Sequence, residues 1–62
     1  MREYICTRSN GVWETDFTIG KIYTQGDEGS LVGDTDYVWH EPMVIEFSTS
    51  ERRGVKLEEL ET

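Results

Sequence analysis

Short runs of strand-forming residues, divided at frequent intervals by Gly, Asp, Asn and Pro, set the strongest limit on how this chain can fold. No segment keeps an apolar period of 3.6 residues over three turns, the pattern of an amphipathic helix. Short strands joined by turns are typical of small barrels, and a barrel also leaves no open sheet edge. The sequence therefore predicts an all-β fold, a small barrel of five to six short antiparallel strands. The predicted strands are 4–8, 21–25, 30–32, 37–40, 43–47 and 55–57.

The fifth run and the end of the chain complete this prediction. Met43, Ile45 and Phe47 alternate onto one face, with Val44 and Glu46 on the other, which indicates a strand with one buried face. Pro42 is expected to end the preceding strand, because proline has no N–H to donate to a ladder. The last residues, 58–62, are expected to form a frayed or short helical tail, since so few residues cannot hold an independent helix.

The size of the chain limits what can hold it together. Sixty-two residues make one domain, and a domain of this size buries only about 60% of its unfolded surface. Cys6 is the single cysteine, so no internal disulfide is possible. One free thiol and the lack of an apolar leader or membrane-length segment predict a cytoplasmic protein. Seven aromatic residues are expected to supply the core, because each ring can bury about 150–250 Å².

Charge is unevenly distributed along the chain. No Lys or Arg occurs between Lys21 and Arg52, and the net charge of -7 arises there because the flanking charges cancel. Such a field repels nucleic acid and anionic membranes and attracts basic surfaces. The expected partner is therefore a protein with a basic surface, with no direct nucleic acid and no membrane. The acids of this window are Asp27, Glu28, Asp34, Asp36, Glu41, Glu46 and Glu51.

Three segments carry a resemblance to a known kind of protein. Tyr4-Ile5-Cys6-Thr7, the segment Phe17-Thr18-Ile19-Gly20-Lys21-Ile22-Tyr23 and Asp34-Thr35-Asp36-Tyr37 occur in this order. The chain resembles small bacteriophage-encoded proteins over residues 4–47. This resemblance implies an SH3-like barrel, a phage or prophage origin, the host-cell cytoplasm and modulation of a host protein by binding. It implies no catalytic residues.

Two features are candidates for partner binding. If residues 34–36 are extended, Asp34 and Asp36 share a face about 6.6–6.8 Å apart and could imitate a phosphate backbone inside the basic groove of a nucleic-acid-binding protein. The alternative is a solvated surface that keeps the protein soluble. Trp13 lies in a polar stretch and is either an apolar anchor or a lid on the barrel end. The predicted partner-binding residues are Trp13, Asp27, Glu28, Asp34, Asp36, Glu41 and Glu46.

The sequence shows no catalytic, metal or cofactor site. The run from Asp34 fails as a calcium loop, because Val38 and Trp39 stand where an oxygen ligand and a glycine are needed. Cys6 and His40 form the only possible nucleophile and base, and we expect a buried thiol and a surface imidazole instead. The chain is thus predicted not to be an enzyme and to bind no cofactor.

The functional hypothesis is a small acidic phage-type protein that binds and modulates a host protein through its acidic face. Two alternatives remain open on the sequence alone. One is a structural or assembly accessory that self-associates as a homodimer, and the other is a fold without any partner for the acidic face.

Overall fold

The computed structural model describes residues 2–60 of the chain. It contains two antiparallel sheets, one α-helix and one short 3-10 helix, so the fold is β-rich. The elements are β1 (Glu3–Ser9), the 3-10 helix (Gly11–Thr15), β2 (Ile22–Thr24), β3 (Leu31–Val32), β4 (Val38–Trp39), α1 (Glu41–Thr49) and β5 (Val55–Leu60).

The three-stranded sheet has β1 in its centre, with β2 and β5 antiparallel on its two sides. Tyr4 pairs with Tyr23 and Cys6 pairs with Leu57, and all four side chains are buried. Side chains alternate across a strand, so this register places the core residues of all three strands on one face. An irregularity between Cys6 and Arg8 shifts the register of the β1–β5 ladder.

The second sheet is the β3–β4 hairpin, in which Leu31 pairs with Trp39 and Val32 pairs with Val38. Leu31 is buried, whereas Val32 and Val38 are exposed on the outer face. The connecting turn closes through a hydrogen bond from the N–H of Asp36 to the carbonyl of Gly33 at 3.1 Å. The first four predicted strands agree with these elements within a few residues.

The fifth predicted strand is wrong, because residues Glu41–Thr49 form α1. Pro42 lies in the first turn of this helix, where a missing N–H costs no hydrogen bond. Val44 and Phe47, three positions apart, are fully buried, and this spacing places them on one side of a helix. The all-β prediction therefore fails at this segment.

The predicted helical or frayed tail is wrong for residues 58–60, which belong to β5. Glu59 pairs with Tyr4 and Leu60 pairs with Glu3, so the neighbouring strand supplies the hydrogen bonds that a short helix lacks. Residues 61 and 62 of that predicted tail lie outside the described part of the chain.

Phe17 and Phe47, both completely buried, occupy the centre of the core. Their ring centroids are 5.4 Å apart in an edge-to-face arrangement, and Tyr23 contacts Phe17 at 5.2 Å in the same way. Aromatic pairs of this geometry contribute about 0.5–1.5 kcal/mol each beyond their buried area. Within residues 2–60, no helix is long and apolar enough to cross a membrane.

Candidate functional site

The carboxylate of Asp16 joins the segment after the 3-10 helix to the β3–β4 hairpin. Asp16 is 6% exposed. Its Oδ1 accepts hydrogen bonds from the backbone N–H of Thr35 at 3.0 Å and from the Thr35 hydroxyl at 2.7 Å, and its Oδ2 accepts one from the indole N–H of Trp39. A carboxylate with three donors is satisfied although it is buried. Asp16 therefore fixes the hairpin against the rest of the fold.

An open cleft of about 330 Å³ lies beside this carboxylate and is called the aromatic cleft below. Tyr37 and Trp39 have ring centroids 4.6 Å apart, and Trp13 and Trp39 have centroids 5.7 Å apart. Tyr37 is 58% exposed and Val12 is 80% exposed, so much of the apolar lining faces solvent. The lining residues are Val12, Trp13, Thr15, Asp16, Thr35, Tyr37 and Trp39.

The two tryptophans of the cleft are held in place from behind. The ring of Phe47 on α1 contacts both Trp13 and Trp39 at 5.3 Å between centroids. Gly54 approaches so closely that a Cβ there would lie 2.6 Å from Cδ1 of Trp13. Trp13 is half-buried and therefore both covers one end of the core and borders an open cleft. The sequence left an apolar anchor and a lid on the barrel end as alternatives for Trp13, and the anchor role stays a prediction.

Two exposed acids lie next to the aromatic cleft in the chain. Glu14 stands between Trp13 and Thr15, and Asp36 stands between Thr35 and Tyr37, all four of which line the cleft. Within residues 2–60 neither carboxylate forms an ion pair or a side-chain hydrogen bond. The charge of Asp36 is therefore available to a group that enters the aromatic cleft from solvent, whereas Glu14 lines a separate cleft beside Phe17.

Asp34 is occupied by internal partners. Its carboxylate accepts hydrogen bonds from the ammonium of Lys21 at 2.5 Å, the hydroxyl of Thr18 at 2.7 Å and the phenol of Tyr23 at 3.0 Å. The Lys21 hydrogen bond, followed by that of Thr18, holds the pKa of Asp34 below its ordinary value. Burial is the main cause that raises the pKa of Tyr23. Asp34 thus connects the β3–β4 turn to β2.

The charge spacing expected for Asp34 and Asp36 is not present. Residues 33–36 form a turn in which Asp36 has a φ of 66°, in the left-handed region. Aspartate is among the residues that tolerate this conformation. The two carboxylates therefore do not share one face of a strand, and the strand spacing of a phosphate mimic does not apply to them.

A second cleft, of about 370 Å³, lies at the other end of β3 and is called the acidic cleft below. Asp27 and Glu41 both line it, and a Cβ at Gly29 would lie 2.6 Å from Oε2 of Glu41. Helix α1 therefore begins against the turn between β2 and β3. Glu28 is exposed in that turn. Arg2, Gln25, Gly26 and Gly29 complete the lining.

The predicted acidic face is divided among three places. Asp27, Glu28 and Glu41 lie at or beside the acidic cleft, whereas Asp34 and Asp36 lie in the β3–β4 turn. Glu46 lies on α1 and forms an ion pair of 3.0 Å with Arg53.

Most of the cations have internal partners. Arg2 pairs with Glu59 at 3.5 Å and Lys56 pairs with Glu51 at 3.1 Å, in addition to the pairs of Lys21 and Arg53 described above. Arg8 donates to the carbonyl of Glu51 at 3.1 Å. By contrast, six exposed acids have no such partner within the described residues. These acids are Glu14, Asp27, Glu28, Asp36, Glu41 and Glu58.

The candidate nucleophile and base have other roles in the structure. Cys6 is 1% exposed, and its thiol donates to the carbonyl of Arg8 at 3.3 Å. Burial raises the pKa of this thiol, which disfavours the reactive thiolate. His40 is exposed at the residue that precedes α1. Within residues 2–60, no three His, Cys, Asp or Glu side chains are placed to hold a metal ion.

Sequence reasoning identified Trp13 but missed Val12, Asp16, Tyr37 and Trp39 as parts of one cleft. The alternation of Tyr37 and Trp39 is a signal that could have joined these two rings, because residues two apart on an extended chain share a face. No local sequence pattern marks Asp16 as part of the cleft, since its hydrogen-bond partners lie 19 and 23 residues later in the chain.

Comparison with known proteins adds no relative from which a role could be transferred. No protein-family model matches the chain, and neither the curated proteins nor the solved structures gave a match.

Proposed function

We propose that this protein is a non-enzymatic binding module that engages a protein with a basic surface. The observation that carries the proposal is the division of charge on the folded chain. Lys21, Arg53 and most other cations have internal partners, whereas exposed acids such as Asp27 and Glu41 have none within residues 2–60. The excess negative charge therefore faces solvent.

A field of this kind acts mainly on association. Exposed carboxylates attract a basic partner over about one Debye length, roughly 8–10 Å at moderate salt, and raise the rate of encounter. The same field disfavours direct contact with nucleic acid or an anionic membrane. Proteins that bind nucleic acid carry basic surfaces matched to phosphate, so they are the partner class that we favour.

The predicted residues take different parts in this proposal. Asp27, Glu28, Asp36 and Glu41 are exposed and would meet the partner, and Trp13 would supply apolar contact. Asp34 and Glu46 have internal cationic partners, so their contribution is to hold the fold and to shape the surrounding field.

The phage-type origin, host modulation in the host cytoplasm and the SH3-like barrel belong to the same proposal. Two features of the strands support the barrel. The pairing order is β2-β1-β5 in one sheet and β3-β4 in the other, and β2 contacts β3. A ladder between β2 and β3 would join the two sheets into one antiparallel sheet of order β5-β1-β2-β3-β4, which could curve into a barrel.

A matched pair of variants tests the role of the charges. Asp27→Asn with Glu28→Gln removes two exposed charges beside the acidic cleft. Glu3→Gln with Glu58→Gln removes the same amount of charge from the outer face of the three-stranded sheet. This face lies opposite the one on which Cys6 is buried. The first variant is expected to capture fewer basic proteins from bacterial lysate, whereas the second retains them.

The salt dependence supplies an independent readout. Raising the salt concentration from about 0.05 M to about 0.5 M shortens the screening length severalfold and should slow association of the captured partner with wild-type protein. The proposal is wrong if both charge variants recover the same proteins in the same amounts, or if association is independent of salt.

Self-association is the second candidate function, and one observation favours it. Val32 and Val38 pair across the β3–β4 hairpin and are 49% and 44% exposed on its outer face. A second copy could cover this apolar pair. A melting temperature that rises with protein concentration would support the homodimer, and Val32→Ser would then abolish the rise.

A further inference from the structure

We propose that the aromatic cleft receives an arginine side chain of the partner. This inference rests on the proposed function, because it names the group that a basic protein would insert. The cleft combines exposed, mutually inclined aromatic rings with the carboxylate of Asp16, and the exposed carboxylate of Asp36 lies in the adjoining turn. Arginine is the side chain that complements both aromatic rings and carboxylates.

The rings provide a stacking surface for a guanidinium group. Tyr37 is 58% exposed and contacts Trp39 at 4.6 Å between centroids, with the planes inclined at 53°. Trp13 borders the same open space at 5.7 Å from Trp39. A cation over such rings is attracted by their negative faces, and tryptophan is the strongest of these partners.

The charges around the rings favour a cation over a neutral apolar group. Asp36 is flanked in the chain by Thr35 and Tyr37, which line the cleft, and it is exposed without an internal partner in the described chain. Asp16 adds a second negative charge in the lining of the cleft, although its own hydrogen bonds are satisfied.

Nucleic acid is the competing occupant, since exposed aromatic rings also stack on unpaired bases. That mode needs a basic groove for the phosphates, whereas Asp16 and Asp36 would repel them. Arginine is favoured over lysine because its planar group can stack on a ring and bind a carboxylate through two N–H bonds at once.

Intrinsic fluorescence reports directly on this cleft, because Trp13 and Trp39 are the two tryptophans of the chain and both line it. The probe is a short Gly/Ser peptide with spaced arginines, compared with the same peptide carrying citrulline, a neutral analogue of similar shape. The arginine peptide is expected to change the tryptophan emission and to bind roughly 5- to 30-fold more tightly than the citrulline peptide.

Tyr37→Ala removes the outer ring, and Val32→Ala is its matched control. Both residues are about half exposed on the β3–β4 hairpin, but only Tyr37 lines the cleft. Circular dichroism first establishes that each variant is folded. Tyr37→Ala should weaken arginine-peptide binding by about tenfold, and Val32→Ala should leave it unchanged.

The outcomes separate this inference from the proposed function. Equal binding of the arginine and citrulline peptides, or an unchanged tryptophan emission, overturns the arginine site. Tighter binding of single-stranded DNA than of the arginine peptide also overturns it. If Tyr37→Ala captures basic proteins as well as the wild type does, the basic partner binds outside the aromatic cleft, and the arginine site is overturned while the proposed function stands. If the arginine peptide binds but no basic protein is captured, the proposed function fails instead.

Discussion

The indole N–H of Trp39 donates a hydrogen bond to the carboxylate of Asp16, which lies 23 residues earlier in the chain. This single contact ties β4 to the segment that follows the 3-10 helix. It also sets the position of the Trp39 ring, which Tyr37 and Trp13 flank in the aromatic cleft. Asp16 therefore both holds the fold at this point and shapes the candidate binding surface.

Asp16→Ala is expected to lower the free energy of unfolding by about 3 kcal/mol, because it leaves donors of Thr35 and Trp39 without their charged acceptor. Urea unfolding measures this change. Thr35→Ala is the graded control, since it removes only the hydroxyl donor and should cost about 1 kcal/mol. Equal losses in the two variants would show that the Asp16 carboxylate is not the centre of this network.

Gly33→Ala tests the close approach between the hairpin turn and Asp16. A Cβ at Gly33 would collide with the Asp16 carboxylate, whereas at Gly26 the nearest atom would be the carbonyl oxygen of Ser30 at an ordinary 3.6 Å. Gly33→Ala is therefore expected to destabilise the fold by about 1–3 kcal/mol, as overpacking does. Thermal unfolding should show a much smaller loss for Gly26→Ala, and the reverse order would contradict the described contact.

The sequence predicted the strands at the start of the chain but not α1, and the reason is local ambiguity. Met43 and Phe47 are four residues apart, so they share a face in a helix as well as in a strand. A run of five residues is too short for the period of its apolar positions to distinguish a helix from a strand. Pro42 is compatible with the end of a strand, but proline is also favoured in the first turn of a helix.

The end of β5 and the aromatic cleft depend on contacts that no local pattern records. Glu58 to Leu60 are extended because they pair with β1, more than 50 residues earlier. In the sequence Asp16 is one acid among the flanking charges that cancel, yet its partners on the hairpin make it central to the cleft. Trp13 was identified because an aromatic residue in a polar stretch is conspicuous without any knowledge of the fold.

The contact between Lys21 and Asp34 predicts how stability depends on acid. Hydrogen bonds from Lys21 and then Thr18 lower the pKa of Asp34 in the folded state. The stabilisation is therefore fully present above the ordinary aspartate pKa of about 3.9 and is lost as pH falls through the lowered value. Wild-type protein should lose thermal stability over this acid range, and Asp34→Asn should show a shallower dependence on pH because its amide has no carboxylate that takes up a proton.

Asp36→Asn is the matched control for this prediction. Asp36 lies in the same turn, but it is exposed and has no ion pair or side-chain hydrogen bond within residues 2–60. Melting curves recorded from neutral pH down to about pH 2 should therefore keep the wild-type slope in Asp36→Asn, since this substitution removes no contact of the folded state. The same slope in wild type and Asp34→Asn would mean that Lys21 does not stabilise the ionised form of Asp34.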